Sequence, residues 1–209
     1  MEVELIDSMG SDLTVTNAAR VSYAKHSDTL DAKDERLIHY LATHGHWSPF
    51  AHAFLQFRIK APIFVARQLV KHQVGLSWNE VSRRYVDDDP EFYMPDYWRE
   101  KPTNSKQGSG GAVQNQSLPT EILTQTHRLA QKHYNLLIEQ GVAPEMARMV
   151  LPQSMMTEWY WSGSLHAFAR ICKQRQDHNS QMETQAIAGT IADACQEKFP
   201  VSWSALLAQ

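Results

Sequence analysis

Between Arg58 and Arg84 the chain carries six basic residues, Arg58, Lys60, Arg67, Lys71, Arg83 and Arg84, against a single acid, Glu80. On a helix, Arg67 and Lys71 lie four apart and Gln68 and Lys71 three apart, so the three are expected on one side. Such a face fits a phosphate, or equally a solvated helix surface. The run SWNEVSRRY, Ser77–Tyr85, follows. Its arginines offer planar forks for phosphate or a pyrimidine carbonyl, and its Ser and Asn add short donors. Ser82 has no neighbouring base in sequence to activate it, which favours a phosphate-binding hydroxyl or a helix cap over a nucleophile. HGHWSPFAH, His44–His52, could offer three imidazoles to a metal. It holds no carboxylate to complete or orient a site, so we expect core or ligand-contacting histidines and no metal. Cys172 and Cys195 are too few for a disulfide framework or a thiolate zinc site and are expected as buried thiols.

These groups sit in a chain of 209 residues with net charge −3, 43% hydrophobic and 21% charged. That is the composition of a globular protein long enough for one sizeable core, and its overall acidity argues against a general polyanion binder. We expect a single domain over 1–209. No apolar run reaches the roughly 20 residues of a membrane span, and the opening MEVELIDSMG lacks the pattern of a signal peptide. The expectation is a soluble, cytoplasmic protein without a membrane partner.

Periodicity places the elements. Strands are expected at Glu2–Ile6 and at Phe54–Lys60, where Leu55, Phe57 and Ile59 share one face and Gln56, Arg58 and Lys60 the other. A helix is expected over Arg36–His44 through Leu37, Tyr40 and Leu41, and another over Pro62–Gln73 with the stripe Ile63, Ala66 and Val70, ended by Gly75. Asp87–Ser117 reads as a surface loop, mobile over about 99–117. A long helix from Ser117 toward Gly141 would turn Ile122, Leu129, His133, Leu136 and Leu137 inward, and a short one from Pro144 would carry Arg148. Ser164 can cap a helix burying Leu165, Phe168 and Cys172, and a last helix spans Gln181–Lys198 through Ile187, Ile191 and Ala194. The chain is thus helix-rich with a few early strands.

Four separated blocks, HGHWSPFAH, KAPIFVARQ, NEVSRRY and ARMVLP, followed by Arg175 and Gln181–Glu183, together resemble the flavin-dependent thymidylate synthase family, ThyX. The resemblance covers nearly the whole chain. It implies reductive methylation of dUMP to dTMP, with reduced FAD as hydride source, methylenetetrahydrofolate as carbon donor and NADPH to re-reduce the flavin. It also implies an α+β fold, a small antiparallel sheet packed with several helices, assembled as a homotetramer with active sites between subunits.

The family's dUMP contacts fall on Gln68, Lys71, Ser82, Arg83, Arg84, Arg148 and Arg175, with Glu80 shared between nucleotide and flavin. Arg175 matches the catalytic arginine that polarises the uracil; the competing reading is an ion pair with Asp177 or Glu183. Flavin contacts fall on Ser48, Lys71, His72, Gln73, Ser164, His166 and Arg170. The flavin half departs more from the family. Lys71-His72-Gln73 replaces Arg-His-Arg, with one extra residue near Leu76 before Asn79-Glu80. Ser164 and Arg170 stand where Asn is usual, His166 where Arg is usual, and Asn179 where His is usual, with His178 beside it. Looser flavin retention is the expected consequence. Two other readings fit the same residues: methylation of another pyrimidine nucleotide such as UMP, and a flavin-free nucleotide- or RNA-binding protein.

Overall fold

A computed structural model describes residues 1–103 and 107–208. Four antiparallel strands, β1 (Glu2–Met9), β2 (Phe54–Pro62), β3 (Leu76–Glu80) and β4 (Met156–Ser164), form one sheet in the order β1-β2-β4-β3. Its helices are α1 (Asp12–Arg20), α2 (Ala32–Thr43), α3 (Ile63–Leu69), α4 (Ser117–Glu139), α5 (Pro144–Ala147), α6 (Leu165–Arg175), α7 (Met182–Lys198) and α8 (Pro200–Leu207). This is the expected α+β architecture, and none of these helices is long and apolar enough to cross a membrane.

The centre of the sheet is the nine-residue pairing of β2 with β4, from Phe54↔Ser164 to Pro62↔Met156. Both strands have the period-two pattern that buries one face: Leu55, Phe57 and Ile59 in β2 lie inward with Trp159 and Trp161 in β4. Phe57, Trp161 and Phe168 meet edge to face at centroid distances of 5.1 and 5.5 Å, joining the sheet to α6. The other face is polar: Arg58 pairs with Glu158 at 2.7 Å, and Gln56 donates to the Ser162 hydroxyl at 3.0 Å.

Each central strand runs directly into a helix. Pro62 ends β2 in extended geometry and α3 begins at the next residue, while Ser164 ends β4 and caps α6, its Oγ accepting from the Ala167 N–H at 3.2 Å. β1 joins the edge with a bulge between Leu5 and Asp7, where Ile6 is the unpaired residue. Asp12 ties the first helix to the last, its carboxylate accepting from the Val201 and Ser202 N–H groups at 3.0 and 2.8 Å.

Several expectations need correction. β3 falls in the run read for binding, and β4, α1 and α8 lie where the sequence suggested no element. In α2 the inward residues are Asp34, Ile38, Leu41 and Ala42, leaving Tyr40 exposed. α3 stops at Leu69 and buries Val65, Ala66 and Leu69 in place of Ile63 and Val70. Lys71 therefore lies beyond the helix and shares no helical face with Arg67 and Gln68. α4 buries Ala130 and Tyr134, whereas Ile122, Leu129 and Leu136 are exposed. Of the loop expected at about 99–117, residues 104–106 lie outside the described residues; its ends meet through Glu100 N–H to Gly111 O at 2.7 Å and Val113 N–H to Trp98 O at 3.0 Å.

Gly163 marks the tightest approach in the sheet. It lies opposite both Leu55 and Leu76, and a Cβ there would stand 2.7 Å from the Gly75 carbonyl oxygen while pressing on the Leu76 side chain. Gly163→Ala is expected to destabilise the protein by about 2 kcal/mol through displacement of β3, read as a lower urea midpoint in equilibrium unfolding; an unchanged midpoint would show that β3 yields freely.

Candidate functional site

Three clefts collect most of the residues singled out from the sequence. The first lies where the C-terminus of α6 meets the turn after α3. Arg175, in the last turn of α6, donates from Nε to His72 Nε2 at 2.9 Å and from Nη2 to the Gln68 carbonyl at 3.1 Å. A guanidinium only donates, so His72 Nε2 must present a lone pair and the imidazole is neutral. The electrostatics agree: burial, then the charges of Arg175 and Arg170, hold His72 below its usual 6.5. The Gln68 amide is fixed as well, donating to Gln181 Oε1 at 2.6 Å and accepting from the Thr184 hydroxyl at 3.3 Å. Gln68 and Arg175 line a polar cleft of about 560 Å³ with Lys173, Asp177, Asn179, Ser180 and Gln181 among others.

The reading of Arg175 as half of an ion pair is wrong. Glu183 is taken by Arg99, which reaches both its oxygens at 2.8 Å, and by the Tyr93 hydroxyl at 3.3 Å. Burial raises the Glu183 carboxyl, but the Arg99 hydrogen bond and charge more than reverse this and the net shift is downward. Asp177 accepts from its own neighbour Asn179 at 2.8 and 3.0 Å. Among the described residues Arg175 has no carboxylate partner, so its charge is available to a ligand.

A second cleft, about 300 Å³, is lined by Lys60, Glu80, Arg83, Arg148, Thr157 and Glu158 among others. Glu80, the last residue of β3, accepts from the Thr157 hydroxyl at 2.7 Å and from the Trp78 indole N–H at 3.2 Å. Arg83 donates to the Asp88 carboxylate at 3.0 Å, and Arg148 Nε to the Glu145 carbonyl at 3.1 Å. Arg84 lies over the Tyr85 ring at 4.9 Å. No helix follows Ser82; its Oγ instead accepts from Arg84 Nε at 3.3 Å within a single turn.

The third cleft, about 430 Å³, gathers Ser164, His166 and Arg170 of the β4–α6 junction beside Trp47, Phe54 and Val74. His166 is held below its usual range by burial first and then by Arg170 and Lys173. Ser48, Lys71 and Gln73 are exposed and line none of these three clefts. His44, His46 and His52 are exposed, not core residues; His44 stacks on Tyr40 at 4.0 Å. Among the described residues no group of His, Cys, Asp or Glu is arranged to hold a metal. The sequence did not single out Thr184 or Trp47, nor the Arg99–Glu183 pair. Trp47 sits inside a quoted motif and Thr184 immediately after one, so only the packing distinguishes them from their neighbours.

Residues 4–201 match the family model described as thymidylate synthase complementing protein. The chain belongs to this family. It is 41% identical over 203 residues to a flavin-dependent thymidylate synthase of Thermus thermophilus, covering 97% of this chain and 74% of that one. With the enzyme of the same name from Thermosipho africanus it shares 40% over 208 residues, 98% and 90% of the two chains. Among solved structures it superposes on the UMP/dUMP methylase PolB of Streptomyces cacaoi bound with 5-Br dUMP, with TM-score 0.90, 32% identity and coverage of 99% and 94%. The same methylase bound with 5-Br UMP gives a TM-score of 0.88 at 31% identity, covering 99% and 93%.

Membership in the family directs attention to the neutral His72 that anchors Arg175. A histidine whose pKa is lower folded than unfolded contributes stability that is fully present above the unfolded value of about 6.5 and is lost as pH falls below it through the lower folded value. His127 and His166 shift the same way. The melting temperature is expected to fall between about pH 7.5 and about pH 5.5, and to fall less in His72→Asn, whose side-chain oxygen can still accept from Arg175. Equal falls in both proteins would show that His72 does not contribute to this titration.

Proposed function

We propose that this chain is a flavin-dependent thymidylate synthase, methylating dUMP at C5 of the uracil to give dTMP. The observation that carries the reading is the Arg175 guanidinium, without a carboxylate partner among the described residues, fixed by His72 and Gln68 on the wall of a polar cleft. A permanently charged, pre-positioned donor there stabilises negative charge as it develops on the uracil imide, and costs no reorganisation when it does so. Gln68, its amide oriented by Gln181 and Thr184, supplies the neutral hydrogen bonds a pyrimidine edge needs. Lys71, Ser82, Arg83, Arg84 and Arg148 take the phosphate end, with Glu80 between nucleotide and flavin.

The donor set also fits a flavin dinucleotide: an apolar-walled cleft with Ser164, His166 and Arg170 at its polar edge, and Ser48, Lys71, His72 and Gln73 near it in sequence. Reduced FAD, regenerated by NADPH, supplies the hydride when bound, and methylenetetrahydrofolate the one-carbon unit. The chain offers no thiolate nucleophile. Cys172 and Cys195 are fully buried, burial pushes the Cys172 thiol up to about 12, and its Sγ donates to the Ala188 carbonyl at 3.4 Å.

Gln68 and Arg175 line one cleft while Glu80, Arg83 and Arg148 line another, so a single nucleotide reaches all of them only where copies of the chain bring the two together. The exposed Leu118, Ile122, Leu129 and Leu136 of α4 provide an apolar surface for such an assembly, read here as a homotetramer. An RNA track is disfavoured because Arg58, Lys60 and Arg83 are each paired, with Glu158, Glu91 and Asp88. A second substrate, UMP, is favoured by the similarity to a methylase solved with analogues of both nucleotides.

With FAD, NADPH and methylenetetrahydrofolate present, dUMP should be converted to dTMP. Arg175→Ala should lower that rate on the order of 10²-fold, and Lys33→Ala, on the exposed side of α2, should leave it unchanged. Turnover of UMP equal to dUMP would establish the second substrate, and no methylated product from either nucleotide would defeat the reading.

A further inference from the structure

Trp47 is the exception among the six tryptophans. Trp159, Trp161 and Trp203 are buried and Trp78 and Trp98 half-buried, whereas Trp47 is 58% exposed on the wall of the third cleft. Its backbone is nevertheless fixed. Its N–H donates to the Gly45 carbonyl at 2.9 Å, its carbonyl accepts from Phe50 N–H at 3.1 Å, and the adjoining turn is anchored by buried Pro49 and Phe50. The indole lies 6.0 Å from the His166 ring, inclined at 41°. Between them and Ala51, Phe54, Val74 and Leu76 is a gap with apolar walls and one cation, Arg170, at its edge.

A held aromatic with an open face, apolar surroundings and a guanidinium at the rim suits a flat heterocycle followed by a phosphate. Resting on the flavin reading above, we propose that Trp47 is a stacking platform for the adenine ring of the dinucleotide, with Arg170 taking the pyrophosphate. The adenine end is assigned by distance. His166 and Arg175 stand at opposite ends of α6, nine residues and thus about 13 Å apart along its axis at 1.5 Å per residue. The flavin ring has to reach the uracil that Arg175 contacts, so the ring held beside His166 is the other one. The cleft's few polar groups agree, since the pyrimidine edge of the flavin ring requires more hydrogen-bond partners than adenine stacking does.

The test titrates FAD, ADP and FMN into apoprotein while following red-edge tryptophan emission, the part lost in Trp47→Phe being assigned to Trp47, the most exposed of the six. FAD should quench this emission, and ADP, which lacks the absorbing flavin ring, should quench it on its own. Trp47→Ala should weaken both FAD and ADP by about tenfold, because stacking of a base on an aromatic ring is lost. Trp47→Phe should lack the quenched component yet hold FAD within about threefold of wild type. Apoprotein melting temperatures check the fold, and should Trp47→Ala misfold, the Phe variant and the wild-type quench still decide. FAD binding equally tight in wild type and Trp47→Ala would overturn the proposal while leaving the flavin reading intact, and quenching by FMN but not ADP would overturn the adenine assignment. Failure of wild type to bind FAD at all would overturn the flavin reading itself.

Discussion

The antiparallel pairing of β2 with β4 is the constraint on which the other features depend. Because each strand passes without a loop into a helix, the register Phe54↔Ser164 to Pro62↔Met156 fixes where α3 and α6 begin. α6 then carries Arg175 back to the turn that follows α3, where His72 and Gln68 receive it. The same junction brings Gly75 to Ser164, whose N–H donates to the Gly75 carbonyl at 3.2 Å, and so walls the cleft of His166 and Arg170. A one-residue slip of this pair would move Leu55, Phe57 and Ile59 to the polar face and dismantle both clefts together.

At the first cleft the carboxylates are engaged elsewhere, Asp177 by Asn179 and Glu183 by Arg99. The acid nearest in sequence to Gln181 is Glu183, and its carboxylate is fully engaged by Arg99 and Tyr93. That engagement secures the start of α7, from which Gln181 and Thr184 hold the Gln68 amide. It also leaves Arg175 balanced by a neutral imidazole instead of an anion. An arginine already paired with a carboxylate would have to exchange partners to bind a nucleotide; this one has only to keep its geometry.

The legible parts of the sequence were those governed by local rules. β2 was visible because its alternation is strict and its buried residues are bulky, and α6 because a capping serine precedes an inward stripe. β4 carried the same alternation, with Thr157, Trp159 and Trp161 inward, but its polar and small residues, Glu158, Ser162 and Gly163, obscured it. β3 is an edge strand whose polar residues read as a binding turn. α4 was found yet turned the wrong way, since its apolar residues Ile122, Leu129 and Leu136 face away from this chain's core. The site residues were implied by the family resemblance that the four blocks carry. Their division between clefts could not be, because it depends on contacts between residues about a hundred positions apart, as Gln68 and Arg175 are.

In the proposed reading one nucleotide contacts Arg175 of one copy and Arg148 of another. Co-expression of differently tagged Arg148→Ala and Arg175→Ala chains, followed by purification of the mixed assembly through both tags, tests it directly. Each variant alone should be nearly inactive, and the mixed assembly should regain dTMP formation, since some of its sites then combine an intact Arg148 with an intact Arg175. A mixed assembly as inactive as either parent would contradict a site shared between copies.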